Sequence, residues 1–137
     1  MPPLFLIHPI GAVRRQGDRT FIDIDPSFSD GLLGLDGFSH IMVCYWLDRS
    51  DTPEARSVLR THPRADPSNP LTGVFATHSP RRPNPVAISL CRLISVSGTT
   101  LEIDRIDAMD DSPVIDIKCF IPSTRFEKET VRLPDWV

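Results

Sequence analysis

The sequence predicts a mainly β fold: a single antiparallel β-barrel domain spanning residues 1–137, with a few short helices. Three observations carry that prediction. Short runs rich in β-branched and aromatic residues recur along the chain, which suits a pleated, half-buried surface. Gly, Pro, Asn and Asp clusters punctuate them, and helical periodicity is confined to brief stretches. Strands this short and closely spaced bury their apolar faces most simply by closing on themselves.

Taken in order, residues 5–13 are apolar enough for an opening strand, bent where Pro9 and Gly11 fall. Residues 14–19 form a polar turn, and 20–25 alternate apolar with polar, so the two runs pair as a hairpin with an Arg-Gln-Gly tip. Asp25-Pro26-Ser27 is a helix start, and Ser27 to Leu35 makes a short helix or 3₁₀ turn ended by Gly34 and Gly37. Residues 38–47 are the most continuous apolar run and read as a central strand buried on both faces. Thr52-Pro53-Glu54 caps one further short helix, with Arg56 and Arg60 a turn apart on one face. Residues 61–70 form a polar, Pro-rich loop, either a substrate lid or a linker. Val74-Phe75-Ala76 reads as a short buried strand. Residues 86–96 and 101–106 are antiparallel partners across a turn at Gly98, and 114–120 form the next strand. The tail, with Arg125, Lys128 and Arg132 along it, has no regular pattern.

Composition narrows the functional classes. Forty per cent of residues are hydrophobic and 24% charged, an ordinary balance for a soluble globular chain. There is no apolar run long enough for a membrane helix and no basic, then apolar, leader at the N-terminus, so a cytoplasmic protein is expected. The three cysteines lie far apart inside apolar runs, as reduced core thiols do, and no metal-ligand spacing is present. The net charge of −3 announces no global attraction to nucleic acid.

Two loops concentrate chemistry. In Gly73-Val74-Phe75-Ala76-Thr77-His78-Ser79-Pro80-Arg81-Arg82-Pro83-Asn84-Pro85, three prolines in six residues forbid helix and central strand. A stiff loop holds Arg81, Arg82 and Asn84 in place without a large ordering cost on binding. The second loop, 107–113, carries acids at Asp107, Asp110 and Asp111, ahead of Ser112 and Pro113. Both emerge beside strands taken to be adjacent, so they can line one pocket with donors on one side and acceptors on the other. The residues by themselves lead to a β protein with a polar, stiff-walled pocket.

The same residues carry a resemblance. The 73–85 loop is similar to the signature loop of the TsaA/TrmO family of S-adenosylmethionine-dependent tRNA methyltransferases. Pro9-Ile10-Gly11-Ala12-Val13, Gly34-Leu35-Asp36-Gly37-Phe38-Ser39-His40-Ile41 and the block 106–118 resemble further family segments in the same order. The resemblance covers nearly the whole chain. It implies a compact β-barrel, usually a homodimer, that binds S-adenosylmethionine and methylates the exocyclic amine of threonylcarbamoyl-adenosine beside the tRNA anticodon. A methyltransferase for a small molecule, or a cofactor-binding module without transfer activity, are the alternatives.

Carried over position by position, the resemblance puts cofactor contacts on Arg15, Gln16, Asp48, Arg49, His78, Leu90, Asp110, Asp111, Ser112 and Pro113. Asp116, as proton acceptor, and Asn84 are the catalytic candidates, and Arg56, Arg60, Arg64, Arg81 and Arg82 the substrate-binding ones. Three departures stand out. His78 takes the place of the usual arginine, Asp111 that of a glycine, and the segment before Arg15 is shortened.

Overall fold

The computed structural model describes residues 2–126 and 130–137; Lys128 of the tail lies outside the described residues. Six strands close a barrel in the order β1-β2-β7-β6-β3-β8, antiparallel throughout. They are β1 (Gly11–Gln16), β2 (Arg19–Ile24), β3 (His40–Trp46), β6 (Val86–Ser97), β7 (Thr100–Ile103) and β8 (Pro113–Cys119). A two-residue pair, β4 (Arg60–Thr61) and β5 (Thr72–Gly73), forms a separate ribbon. The one α-helix among the described residues, α1 (Pro53–Arg56), is a single turn that Thr52 caps through its hydroxyl, which accepts from Ala55 N at 3.1 Å. Among the described residues no helix is long and apolar enough to cross a membrane.

Closure follows from the sequence pattern. Alternate residues of each strand face inward, and Val13, Ile22, Ile41, Val43, Leu101, Ile103 and Val114 are essentially inaccessible. Each such aliphatic side chain contributes about 1.5–3 kcal/mol of transfer free energy. The β1–β2 hairpin turns at Gly17-Asp18, where Gly17 takes a φ of 61° that costs a residue without Cβ little. Gly11 is required by proximity instead, because a Cβ there would run into the carbonyl oxygen of Asp23 on β2.

Several expectations need correcting. β3 is buried on one face only: Ile41, Val43 and Tyr45 enter the core, while Met42, Cys44 and Trp46 are half-buried outside. A barrel strand has a single lumen face, so an apolar run need not mean two covering layers. Strand structure starts at Gly11, and Leu4, Phe5 and Leu6 are exposed; Pro9 has no N–H to extend the ladder. Val74–Ala76 is a 3₁₀ turn, closed by Thr77 N to Val74 O at 3.1 Å. It follows β5 directly, and Val74 N reaches Leu59 O, just ahead of β4, at 3.0 Å. Arg56 and Arg60 share no helix face, since α1 ends at Arg56 and Arg60 lies on β4. β7 stops at Ile103, where Asp104 N instead reaches Arg92 O across a register shift.

Candidate functional site

At one mouth of the barrel the end of β3 and the start of β6 meet the two loops singled out by composition. They enclose a cavity of about 620 Å³, within the roughly 300–1,000 Å³ usual for small-molecule sites. The two loops are neighbours by strand order: the Pro-rich loop leads into β6, and the acidic loop leaves β7, the antiparallel partner of β6, on its way to β8. Both lean over the same mouth.

The floor comes from the strands. Tyr45 pairs with Ala87 across the β3–β6 ladder, and Ser89 faces Val43 one step further in. Tyr45 is buried, and that burial pushes its hydroxyl pKa up, with a Ser89 hydrogen bond acting the other way. It therefore remains a protonated donor through neutral pH. Beyond β3 the chain turns through Asp48–Ser50, anchored by Leu47 N to Pro85 O at 2.7 Å, and presents Asp48 and Arg49 to the cavity.

The Pro-rich wall supplies Phe75, Thr77, His78, Pro80 and Arg82. It is braced internally. Arg82 donates from Nη1 to Thr77 O at 3.0 Å and Ser79 O at 3.1 Å, and Thr77 Oγ1 donates to Val74 O at 2.9 Å. A second brace is Arg56. Its guanidinium donates to Pro83 O at 2.8 Å, Asn84 Oδ1 at 3.2 Å and Asp51 Oδ1 at 3.0 Å. Asp51 also accepts from the Trp46 indole at 3.1 Å, and these two donors, the indole first, hold its carboxyl below the ordinary range.

The acidic wall supplies Asp107, Ala108, Met109 and Ser112. Arg15 fixes this loop from outside the cavity, donating from Nε to Ala108 O at 3.0 Å and from Nη2 to the carbonyls of Ile106 and Ala108. Its backbone N–H donates to Asp110 Oδ1 at 2.8 Å. Asp111 has a φ of 67°, the left-handed region that favours glycine, and its N–H reaches Val13 O at 2.8 Å.

Of the residues that the sequence singles out, Asp48, Arg49, His78, Arg82 and Ser112 line the cavity. Arg15, Asp110 and Asp111 shape its acidic wall from behind, while Pro113 opens β8 opposite Ala12. Gln16 accepts from Arg14 near the hairpin tip. Leu90 points outward beside Met42 and is exposed. Asn84 is held by Arg56, and Asp116 sits opposite Cys44 outside the barrel, 3.4 Å from Lys118 Nζ. Neither catalytic candidate is brought to the cavity, because alternation along β8 and the Arg56 brace turn them elsewhere. Arg56 and Arg82 are spent on loop carbonyls, and Arg60 is on the ribbon; Arg64 and Arg81 line a neighbouring cavity.

The sequence places Phe75, Thr77, Asp107 and Met109 in the two pocket loops without singling them out as site residues, and it gives no sign of Tyr45. Asp107 carried a signal: it directly follows Ile106, a core residue, so the first loop position falls at the barrel rim. Phe75 carried none, because in an apolar run an aromatic that is 80% exposed looks like core. Among the described residues, Asp48, Arg49, His78 and Asp107 have no salt bridge and no side-chain hydrogen bond. No group of three metal-ligating side chains is found among the described residues.

Fold and site together define a closed six-stranded antiparallel barrel with one amphipathic, mixed-charge pocket at its mouth. The tRNA-methyltransferase O N-terminal domain profile matches residues 8–125, and the chain belongs to that family. A probable S-adenosyl-L-methionine-binding protein of Pyrococcus horikoshii is 46% identical over 116 residues, 85% of this chain and 82% of the relative. One of the same description from Methanocaldococcus jannaschii is 40% identical, covering 85% of this chain and 93% of the relative. A mouse tRNA (adenine(37)-N6)-methyltransferase is 33% identical over 66% of this chain, but only 20% of its own length is matched. A crystal structure of TrmO shares the fold at a TM-score of 0.70 and 24% identity; this chain spans 95% of itself and 64% of that chain.

Proposed function

We propose that the chain is an S-adenosylmethionine-dependent methyltransferase that modifies the exocyclic amine of an adenosine in tRNA, threonylcarbamoyl-adenosine beside the anticodon being the acceptor. One observation carries the reading: a single cavity sets an apolar shelf, Phe75 and Met109, against two carboxylates, Asp48 and Asp107, and one arginine, Arg49, all free of intramolecular partners among the described residues. That donor set matches a zwitterionic nucleoside bearing a sulfonium. Phe75 and Met109 cover a planar base, Asp48 and Asp107 accept from hydroxyl or ammonium groups and offset positive charge, and Arg49 pairs with a carboxylate. The names of the archaeal relatives support the same cofactor.

Bound there, S-adenosylmethionine would supply an electrophilic methyl group to the acceptor nitrogen, which would give up a proton as the S–CH₃ bond is exchanged for N–CH₃ and the sulfonium leaves as a neutral thioether. The protein's part is alignment. Stiff walls held by Arg15, Arg56 and Arg82 fix the reacting groups, and such positioning is worth several kcal/mol of barrel-mouth preorganisation, on the order of 7 or more in well-oriented systems. Asp48 and Asp107, as cavity carboxylates, stand where Asp116 does not and are the acceptors for the released proton.

We further propose a homodimer in the cytoplasm. Ile88 and Leu90 are exposed on the outer face of β6 beside half-buried Met42 and Cys44, an apolar stripe suited to a second copy. In that arrangement Leu90 meets the cofactor of the partner rather than its own. The test is transfer of labelled methyl to tRNA from cells lacking this modification, with fully modified tRNA and small carboxylated nucleosides alongside. Incorporation at one adenosine of the undermodified tRNA supports the reading, and incorporation into small molecules alone replaces it with the small-molecule alternative.

A further inference from the structure

A second cavity, of about 650 Å³, adjoins the first and shares Thr77, His78 and Pro80 with it. Its other walls come from parts of the chain that the family's cofactor contacts do not use. They are the turn that follows β4, carrying Arg64; the tip of the Pro-rich loop, carrying Arg81; and the C-terminal turn, carrying Trp136.

The five arginines that sequence groups as one substrate surface divide sharply here. Arg56 and Arg82 spend their guanidiniums on backbone carbonyls, and Arg60 lines neither cavity. Arg64 and Arg81 line the second cavity, and among the described residues their guanidiniums make no ion pair and no hydrogen bond. Arg64 is presented by unusual backbone. It and Ala65 both have positive φ, 59° and 55°, in consecutive residues that carry a Cβ. Such conformations cost on the order of 1–3 kcal/mol each and persist where surrounding structure imposes them, often at ligand clamps. Here the imposing contacts are visible: His62 Nδ1 lies 2.8 Å from Asn69 O, and Asn69 Nδ2 donates to Pro63 O at 2.9 Å. Trp136 is half-buried at the rim in a turn closed by Val137 N to Pro134 O at 3.2 Å.

We propose that this second cavity is the methyl-acceptor subsite, taking a planar ring that carries an anionic group: Trp136 covers the ring, and the Arg64 and Arg81 guanidiniums pair with the anion. The assignment rests on the reading that the first cavity holds the methyl donor, because the two cavities adjoin through their shared Thr77, His78 and Pro80. Two free guanidinium forks suit a carboxylate or phosphate, and indole stacking suits any base. The anionic ring can come from tRNA or from a free metabolite.

Binding is measured by Trp fluorescence and calorimetry on the whole chain, with and without saturating S-adenosylhomocysteine. The probes are threonylcarbamoyl-adenosine nucleoside, which carries a carboxylate, and adenosine, which does not. The carboxylated nucleoside should bind at least tenfold more tightly than adenosine, and should quench emission that is lost in Trp136→Phe. Arg64→Ala and Arg81→Ala should each weaken the carboxylated probe about tenfold, the scale of one charge-assisted contact. Neither should change the affinity for adenosine or for S-adenosylhomocysteine. An anticodon stem-loop carrying the modified base that competes at lower concentration than the nucleoside assigns the source to RNA; equal competition assigns it to free molecules. Equal binding of the two probes, or unchanged binding in both arginine variants, overturns the proposal. Failure of S-adenosylhomocysteine to bind while the carboxylated probe still does overturns the donor-site reading instead.

Discussion

Replacing Arg56 with alanine removes three hydrogen bonds and a stacking contact that together tie the Pro-rich loop to the end of β3. The bond to Pro83 O, at 2.8 Å and partly buried, is charge-assisted and contributes about 1–1.5 kcal/mol after allowance for exposure. The Asp51 ion pair has both side chains about 40% exposed, so it adds only about 0.5 kcal/mol. The longer, exposed bond to Asn84 and the 5.8 Å approach over the Trp46 ring add about 0.5 kcal/mol each. The sum is about 2.5–3 kcal/mol, which for a chain of this size lowers Tm by on the order of 10 °C. Arg56→Lys keeps the charge near Asp51 but cannot serve three acceptors as a fork does, so it recovers less than half of the loss. Thermal unfolding followed by circular dichroism measures both variants, and S-adenosylmethionine titration should show weakened binding in the alanine variant. If Tm moves by less than about 2 °C while the KM for tRNA rises tenfold, Arg56 contacts substrate, and its assignment as a loop brace is wrong.

Other outcomes follow from the same contacts. Gly11→Ala puts a Cβ into the Asp23 carbonyl and should destabilise by about 1–3 kcal/mol in urea unfolding, as overpacking does. Asp111→Gly relieves a left-handed residue and should stabilise by about 0.5–1 kcal/mol in the same assay. Asp23, whose carboxyl is lowered chiefly by its hydrogen bond from Arg14, and Asp51 both have folded pKa values below their unfolded ones. Their stabilisation is therefore complete above the unfolded carboxyl range, near pH 4, and disappears as pH falls through the lower folded values. Acid unfolding of Asp23→Asn should accordingly show a shallower dependence on pH below 4 than the native chain.

The barrel was legible because its strands alternate and its turns are chemically explicit: β2 and the existence of the β1–β2 hairpin followed from local pattern, although the polar turn expected over 14–19 narrows to Gly17-Asp18 and the strand expected over 101–106 ends at Ile103. What local pattern could not supply was which outward position faces the mouth. Asp116 and Asp107 are both acids near apolar strand residues, yet alternation along β8 sends the first outside the barrel while loop curvature brings the second to the cavity. The arginines teach the same lesson. The five arginines grouped as one substrate rim divide on folding: backbone carbonyls claim Arg56 and Arg82, Arg60 lies on the ribbon, and Arg64 and Arg81 are left free among the described residues. The Arg56 acceptor, Pro83 O, lies 27 residues away and becomes a neighbour only on folding, whereas Arg82 turns back onto Thr77 and Ser79 within its own loop. Val74–Ala76 failed for a related reason, since its apolar residues serve a turn between ribbon and loop rather than a ladder.

In the proposed function the mouth cavity holds S-adenosylmethionine between an apolar shelf, Phe75 and Met109, and two carboxylates, Asp48 and Asp107. Calorimetric titration of the native chain and of a Phe75→Ala, Met109→Ala double variant tests it most directly, because both side chains are largely exposed and their removal leaves the core intact. One molecule bound per chain, with affinity reduced about tenfold or more in a double variant of unchanged Tm, is the expected result. No binding by the native chain, or equal binding by both, would contradict it.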